Sequence, residues 1–72
     1  MKNKFAERLK GIIEEKGITQ KDLADKTQLS QSIISNWIKK KRQPTADSII
    51  VIADFFEVTT DYLLGRTNDY EK

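Results

Sequence analysis

Five short helices packed as one all-α domain is the fold this sequence predicts, and three observations predict it. Apolar residues recur at helical spacing in two stretches: Phe5, Leu9, Ile12 and Ile13, then Ile49, Ile52, Ala53 and Phe56. Hydroxyl residues that start helices stand at Thr19, Ser30 and Thr45, and residues that stop them stand at Gly17, Pro44 and Gly65. The run Ile49 to Ile52 would pass as a β-strand, but the capping residue before it and its helical period favour helix.

The first helix begins near Phe5, with Glu7, Arg8, Lys10, Glu14 and Glu15 filling the solvent side between its apolar positions. Gly17 ends it, because glycine enters the left-handed conformation that closes a helix, and Ile18 folds back on the last turn. Thr19, Gln20, Lys21 and Asp22 then form a capping-box variant. The threonine hydroxyl accepts from the Asp22 amide while the Asp22 carboxylate reaches back, so a second helix runs from about residue 20 to 27. Leu23, Ala24 and Thr27 share one of its faces, and Ala24 is small enough to let another helix cross closely.

Ser30 is a good N-cap for a third helix from residue 31 to about 40, with Ile34 and Trp37 turned inward. Ile33 and Ile38 add more apolar surface than one buried stripe requires, so both are expected to be partly exposed. Trp37 reads as a core anchor rather than a base-stacking platform, since the pattern around it is helical. Pro44 pushes Gln43 out of the helical region and makes a loop. Thr45 then caps a fourth helix, the most apolar element, with Asp47 in its first turn. Val58, Thr59, Thr60 and Asp61 repeat the capping chemistry for a short fifth helix holding Tyr62, Leu63 and Leu64, which Gly65 ends. Residues 1–66 form the expected domain and 67–72 a flexible tail.

A chain of 72 residues holds one thin core. With no cysteine and no histidine it offers neither a disulfide framework nor a thiolate or imidazole metal site, and no cofactor is expected. The charged, amphipathic start lacks the apolar run of a signal peptide or membrane span, so a cytoplasmic location without membrane contact is expected. The net charge of +2 conceals an asymmetry. Residues 1–42 carry eleven Lys/Arg against five Asp/Glu, whereas residues 43–72 carry two against six. Solvated helix faces are the plain explanation; a phosphate-facing surface with an acidic back is the sharper one, favoured by the run Lys39, Lys40, Lys41 and Arg42. Just before that run, Gln31, Ser32, Ser35 and Asn36 leave the third helix with a polar, uncharged face whose amides and hydroxyls suit base edges. This is the outline of a DNA-reading helix.

These residues resemble the Cro and lambda-type phage repressor helix-turn-helix domains, the Xre family, over nearly the whole chain. The matching pieces are the first helix FAERLKGIIEEKGIT, then Gln20, Leu23 and Ala24, then Ser30, Ile34, Ser35 and Trp37. Pro44, the ADFFEV segment ending at Val58 and the DYLLG close from Asp61 to Gly65 match further on. The resemblance implies a compact five-helix, lambda repressor-like DNA-binding domain with its helix-turn-helix at helices two and three, the third lying in the major groove. It implies a transcriptional regulator, of phage or mobile-element repressor type, that binds a pseudo-palindromic double-stranded operator as a homodimer, in the nucleoid of a bacterial or phage-infected cell. By position, Gln20 matches a backbone-contacting glutamine, Gln31, Ser32, Ser35 and Asn36 match base-facing or groove-facing positions, and Ser30 at the helix start is also expected to contact DNA. Lys39, Lys40, Lys41 and Arg42 match a loop that follows phosphates. The dimer surface would lie around Thr60 to Arg66.

Three positions depart from the family pattern. Gln28 stands in the turn where glycine is usual, which predicts a slightly rearranged turn. Ile38 replaces a common glutamate and Lys40 a common glycine, which predicts a different end to the third helix. A competing reading is a protein-interaction module such as an antitoxin or anti-repressor, motivated by Ile33 and Ile38. Catalysis ranks below both, because the chain has no cysteine, histidine, glycine-rich phosphate loop or paired-carboxylate motif.

Overall fold

Phe5, Leu9, Ile12 and Ile13 are all buried along α1 (Phe5–Lys16), the side that the spacing assigned to the core. The computed structural model describes residues 3–69, and four further helices follow: α2 (Gln20–Thr27), α3 (Gln31–Ile38), α4 (Ala46–Phe56) and α5 (Thr60–Leu63). Each of α2 to α5 starts on a hydroxyl side chain. Thr19, Ser30, Thr45 and Thr59 accept from the amides of Asp22, Ile33, Ser48 and Tyr62 at 3.0, 3.0, 3.1 and 3.0 Å. At α2 the capping box is complete, since the Thr19 N–H donates to Asp22 Oδ2 at 3.2 Å.

Every helix closes through one left-handed residue, and only two of the five are glycine. Gly17 and Gly65, at φ 69° and 79°, follow α1 and α5. Gln28, Lys40 and Glu57, at φ 63°, 63° and 57°, do the same after α2, α3 and α4. The turn between α2 and α3 is therefore not rearranged as expected: Gln28 takes the conformation glycine would take, at a conformational cost. After α3, the Lys40 N–H donates to the Trp37 carbonyl at 3.1 Å and the Lys41 N–H to that of Asn36 at 2.8 Å. This pair of bonds is a Schellman closure. It ends α3 at Ile38 rather than near residue 40, because Lys40 has already left the helical region.

Trp37 sits among the helices at 2% exposure, with the Phe5 ring edge-on at 5.7 Å. Leu9, Leu23, Ile34, Ile52 and Leu63 are fully buried around it. Ile33 and Ile38 are half-buried and pack against this core, as the surplus of apolar surface predicted. Ala24 is buried, and α2 packs on α3. The segment before α1 is tied to α5 by the Lys4 N–H, which donates to the Leu64 carbonyl at 3.2 Å. Of the expected tail, residues 70–72 lie outside the described residues, whereas Asn68 accepts a hydrogen bond from the Arg8 guanidinium at 2.8 Å.

Candidate nucleic-acid interface

The candidate interface is centred on α3, whose two faces separate cleanly. At about 100° per residue, Gln31, Ser32, Ser35, Asn36 and the following Lys39 fall within an arc of about 140°, and Ile33, Ile34, Trp37 and Ile38 occupy the opposite arc. Burial follows that division. Ile34 and Trp37 are buried, whereas Gln31 and Ser32 at the start of the helix are exposed. Ser35 and Asn36 are half-buried, so their side chains present less surface than those of the first turn.

Not every expected site residue is equally free. Ser30 is exposed, but its Oγ accepts from the Ile33 amide at 3.0 Å and so holds the start of α3. The Asn36 carbonyl accepts from the Lys41 N–H, which ties the basic loop to the last turn of α3. Gln20 is half-buried in the first turn of α2, a helix end whose aligned peptide dipoles favour a nearby anion.

The basic run divides in the same way. Lys39, Lys41 and Arg42 are exposed, and no hydrogen bond or ion pair engages their side chains among the described residues. The Lys40 ammonium instead lies 3.0 Å from Glu7 Oε1 on the first turn of α1. Lys40's hydrogen bond and charge hold the Glu7 carboxyl below the ordinary carboxylate range, with a smaller contribution from Lys4. Arg8 is also committed, since its guanidinium lies 4.4 Å from the centre of the Tyr62 ring besides bonding Asn68. Glu7 and Arg8 escaped sequence reasoning. Glu7 is 33 residues from Lys40, and no local spacing announces a contact of that kind.

The helix-turn-helix family model matches residues 9–63, which spans α1 to α5 and includes the α2–α3 pair just described. The chain belongs to the helix-turn-helix family of the Cro and phage-repressor (Xre) type. Among helix-turn-helix relatives, the transcriptional regulator ImmR of Bacillus subtilis (strain 168) is 35% identical over 62 residues, covering 86% of this chain and 49% of that protein. The transcriptional activator BcrR of Enterococcus faecalis is 38% identical over 61 residues, covering 85% and 30%. YobD of Bacillus subtilis (strain 168), described as an uncharacterized transcriptional regulator, is 26% identical over 65 residues, covering 90% and 58%. The chain thus spans between 30% and 58% of the length of these three relatives. No solved structure matches significantly. Among the described residues no helix is long and apolar enough to cross a membrane.

Proposed function

We propose that this helix-turn-helix domain binds double-stranded DNA sequence-specifically, with α3 in the major groove and the segment after it along the phosphates. The observation that carries the reading is the division of α3. Its apolar arc is committed to the core, its polar arc begins with exposed Gln31 and Ser32 and runs on to Lys39, and exposed Lys41 and Arg42 follow in the segment after the helix. Gln31, Ser32, Ser35 and Asn36 read base edges, while Gln20, Ser30, Lys39, Lys41 and Arg42 hold the backbone.

An eight-residue helix reads too few base pairs for useful specificity alone, so the domain binds as a two-fold homodimer on a pseudo-palindromic operator. Half-sites lie about 10 bp apart, and the dimer contact involves α5 and its flanks, residues 60–66. Resemblance to phage repressors supports repression in the bacterial cytoplasm as the outcome. The interaction-module reading loses its motive, because Ile33 and Ile38 pack against the core instead of forming an exposed patch.

The test is selection of bound sequences from a random duplex pool, followed by titration of the selected duplex at two salt concentrations. A recovered palindrome, steep salt dependence and two chains per duplex by sedimentation are expected. Recovery of no consensus would overturn the reading. A reporter behind the recovered operator is expected to fall when the protein is expressed, and a rise would assign activation instead.

A further inference from the structure

Lys40 occupies a left-handed position that disfavours any side chain, and backbone bonds alone close α3 there. Glycine would do that work without strain. The side chain nevertheless reaches α1 and meets Glu7, in a recess also lined by Lys4, Arg42 and Pro44. Both partners of this ion pair are well exposed, so the pair adds little to stability. Its larger consequence is for charge. One of the four cations that follow α3 is neutralised by an acid from another helix, while Lys39, Lys41 and Arg42 keep theirs open to solvent.

We propose that Glu7 is a positioning residue for DNA affinity: it holds Lys40 against α1, keeps it from the phosphates, and thereby lowers sequence-independent binding while leaving the base-reading face of α3 untouched. This inference rests on the DNA-binding reading above. Non-specific affinity follows the number of phosphates a protein neutralises, each contributing about 0.9 to the log–log salt slope on duplex DNA. Withholding one cation per protomer therefore changes random-sequence binding about 3.5-fold across a fourfold change in salt. A regulator searching a large excess of non-specific sites gains specificity from such a device.

The experiment measures affinity of the whole chain for a random-sequence duplex between about 50 and 200 mM salt, by fluorescence anisotropy. Four proteins are compared with the unaltered chain: Glu7→Gln, Lys40→Gln, their double variant, and Lys41→Ala as the reference loss of a phosphate contact. Thermal melts confirm that each is folded. Glu7→Gln is expected to tighten binding severalfold at the low-salt end and to steepen the slope by about one unit per protomer. The double variant, which removes both charges of the pair, is expected to stay within about twofold of the unaltered chain, and Lys40→Gln to bind no more tightly than the double variant because it leaves the Glu7 carboxylate uncovered. A loss in the double variant as large as that of Lys41→Ala would make Lys40 an ordinary phosphate ligand and overturn the proposal. A Glu7→Gln gain that persists in the double variant would overturn it too, by showing that Glu7 merely repels DNA. In both cases the unaltered chain still binds, so the DNA-binding reading survives. An unaltered chain without salt-dependent binding would overturn both.

Discussion

Replacing Glu57 by glycine removes an L side chain from a backbone position at φ 57° and ψ 42°, where α4 closes. The closure itself needs only backbone: the Glu57 N–H donates to the Asp54 carbonyl at 3.2 Å and the Val58 N–H to that of Ala53 at 2.9 Å. An L residue in the left-handed region costs about 1–2 kcal/mol. Glycine relieves that strain but loosens the unfolded chain by about 0.4–1 kcal/mol, so the net expectation is a gain of about 0.5–1 kcal/mol. Removal of an anion from a helix C-terminus acts in the same direction. For a domain of this size the gain corresponds to a rise in melting temperature of about 2–8 °C. Thermal unfolding followed by circular dichroism measures it. An unchanged or lower melting temperature would refute the argument that Glu57 occupies a strained position.

Gly11→Ala is expected to raise stability by about 0.5–1 kcal/mol, because a Cβ there meets nothing within 4 Å and alanine is the better helix former. Gly65→Ala is expected to lower it by more than about 1 kcal/mol, since φ is 79° and the new Cβ would lie 2.7 Å from Lys4 Cβ; chemical denaturation of the two variants should give opposite signs. Trp37→Ala is expected to cost about 3–5 kcal/mol by leaving a void beside Phe5, and a melting temperature unchanged within a few degrees would remove Trp37 from the core. Asp22 gives a pH dependence: the Thr19 N–H and then its hydroxyl hold the carboxyl below its ordinary range. A lowered native pKa means that the unfolded chain binds the proton more readily. The contribution is therefore full above the unfolded value of about 4 and is lost as pH falls through the native one. Between about pH 7 and pH 3 the unaltered chain should lose more stability than Asp22→Asn, and equal losses would contradict the assignment.

The five helices were legible because their causes are local. The Thr19–Asp22 capping box, the Ser30 and Thr45 caps and the glycine stop at Gly17 each lie within a few residues of the groups they satisfy. Apolar spacing likewise gave the buried faces of α1 and α4 residue by residue. What sequence could not give are features decided by tertiary contact. The left-handed state of Gln28, Lys40 and Glu57 contradicts intrinsic preference and is imposed by the helices on either side. The basic run looked uniform in sequence, and only the packing of α1 beside α3 sets Lys40 apart from Lys39, Lys41 and Arg42.

The proposed base reading by the polar arc of α3 and the proposed phosphate holding by the segment after it are separable in one experiment. Gln31 and Ser35 lie four residues apart on that arc, and an amide can bond the N6 and N7 of one adenine together. The direct measurement compares Gln31→Ala and Lys41→Ala on the selected operator and on random duplex across a salt series. Gln31→Ala is expected to weaken operator binding by about 1–3 kcal/mol with random-duplex binding almost unchanged. Lys41→Ala is expected to weaken both alike and to reduce the salt slope by about one unit per protomer. Equal losses of Gln31→Ala on both DNAs, or an altered base preference in Lys41→Ala, would contradict the proposed division of roles.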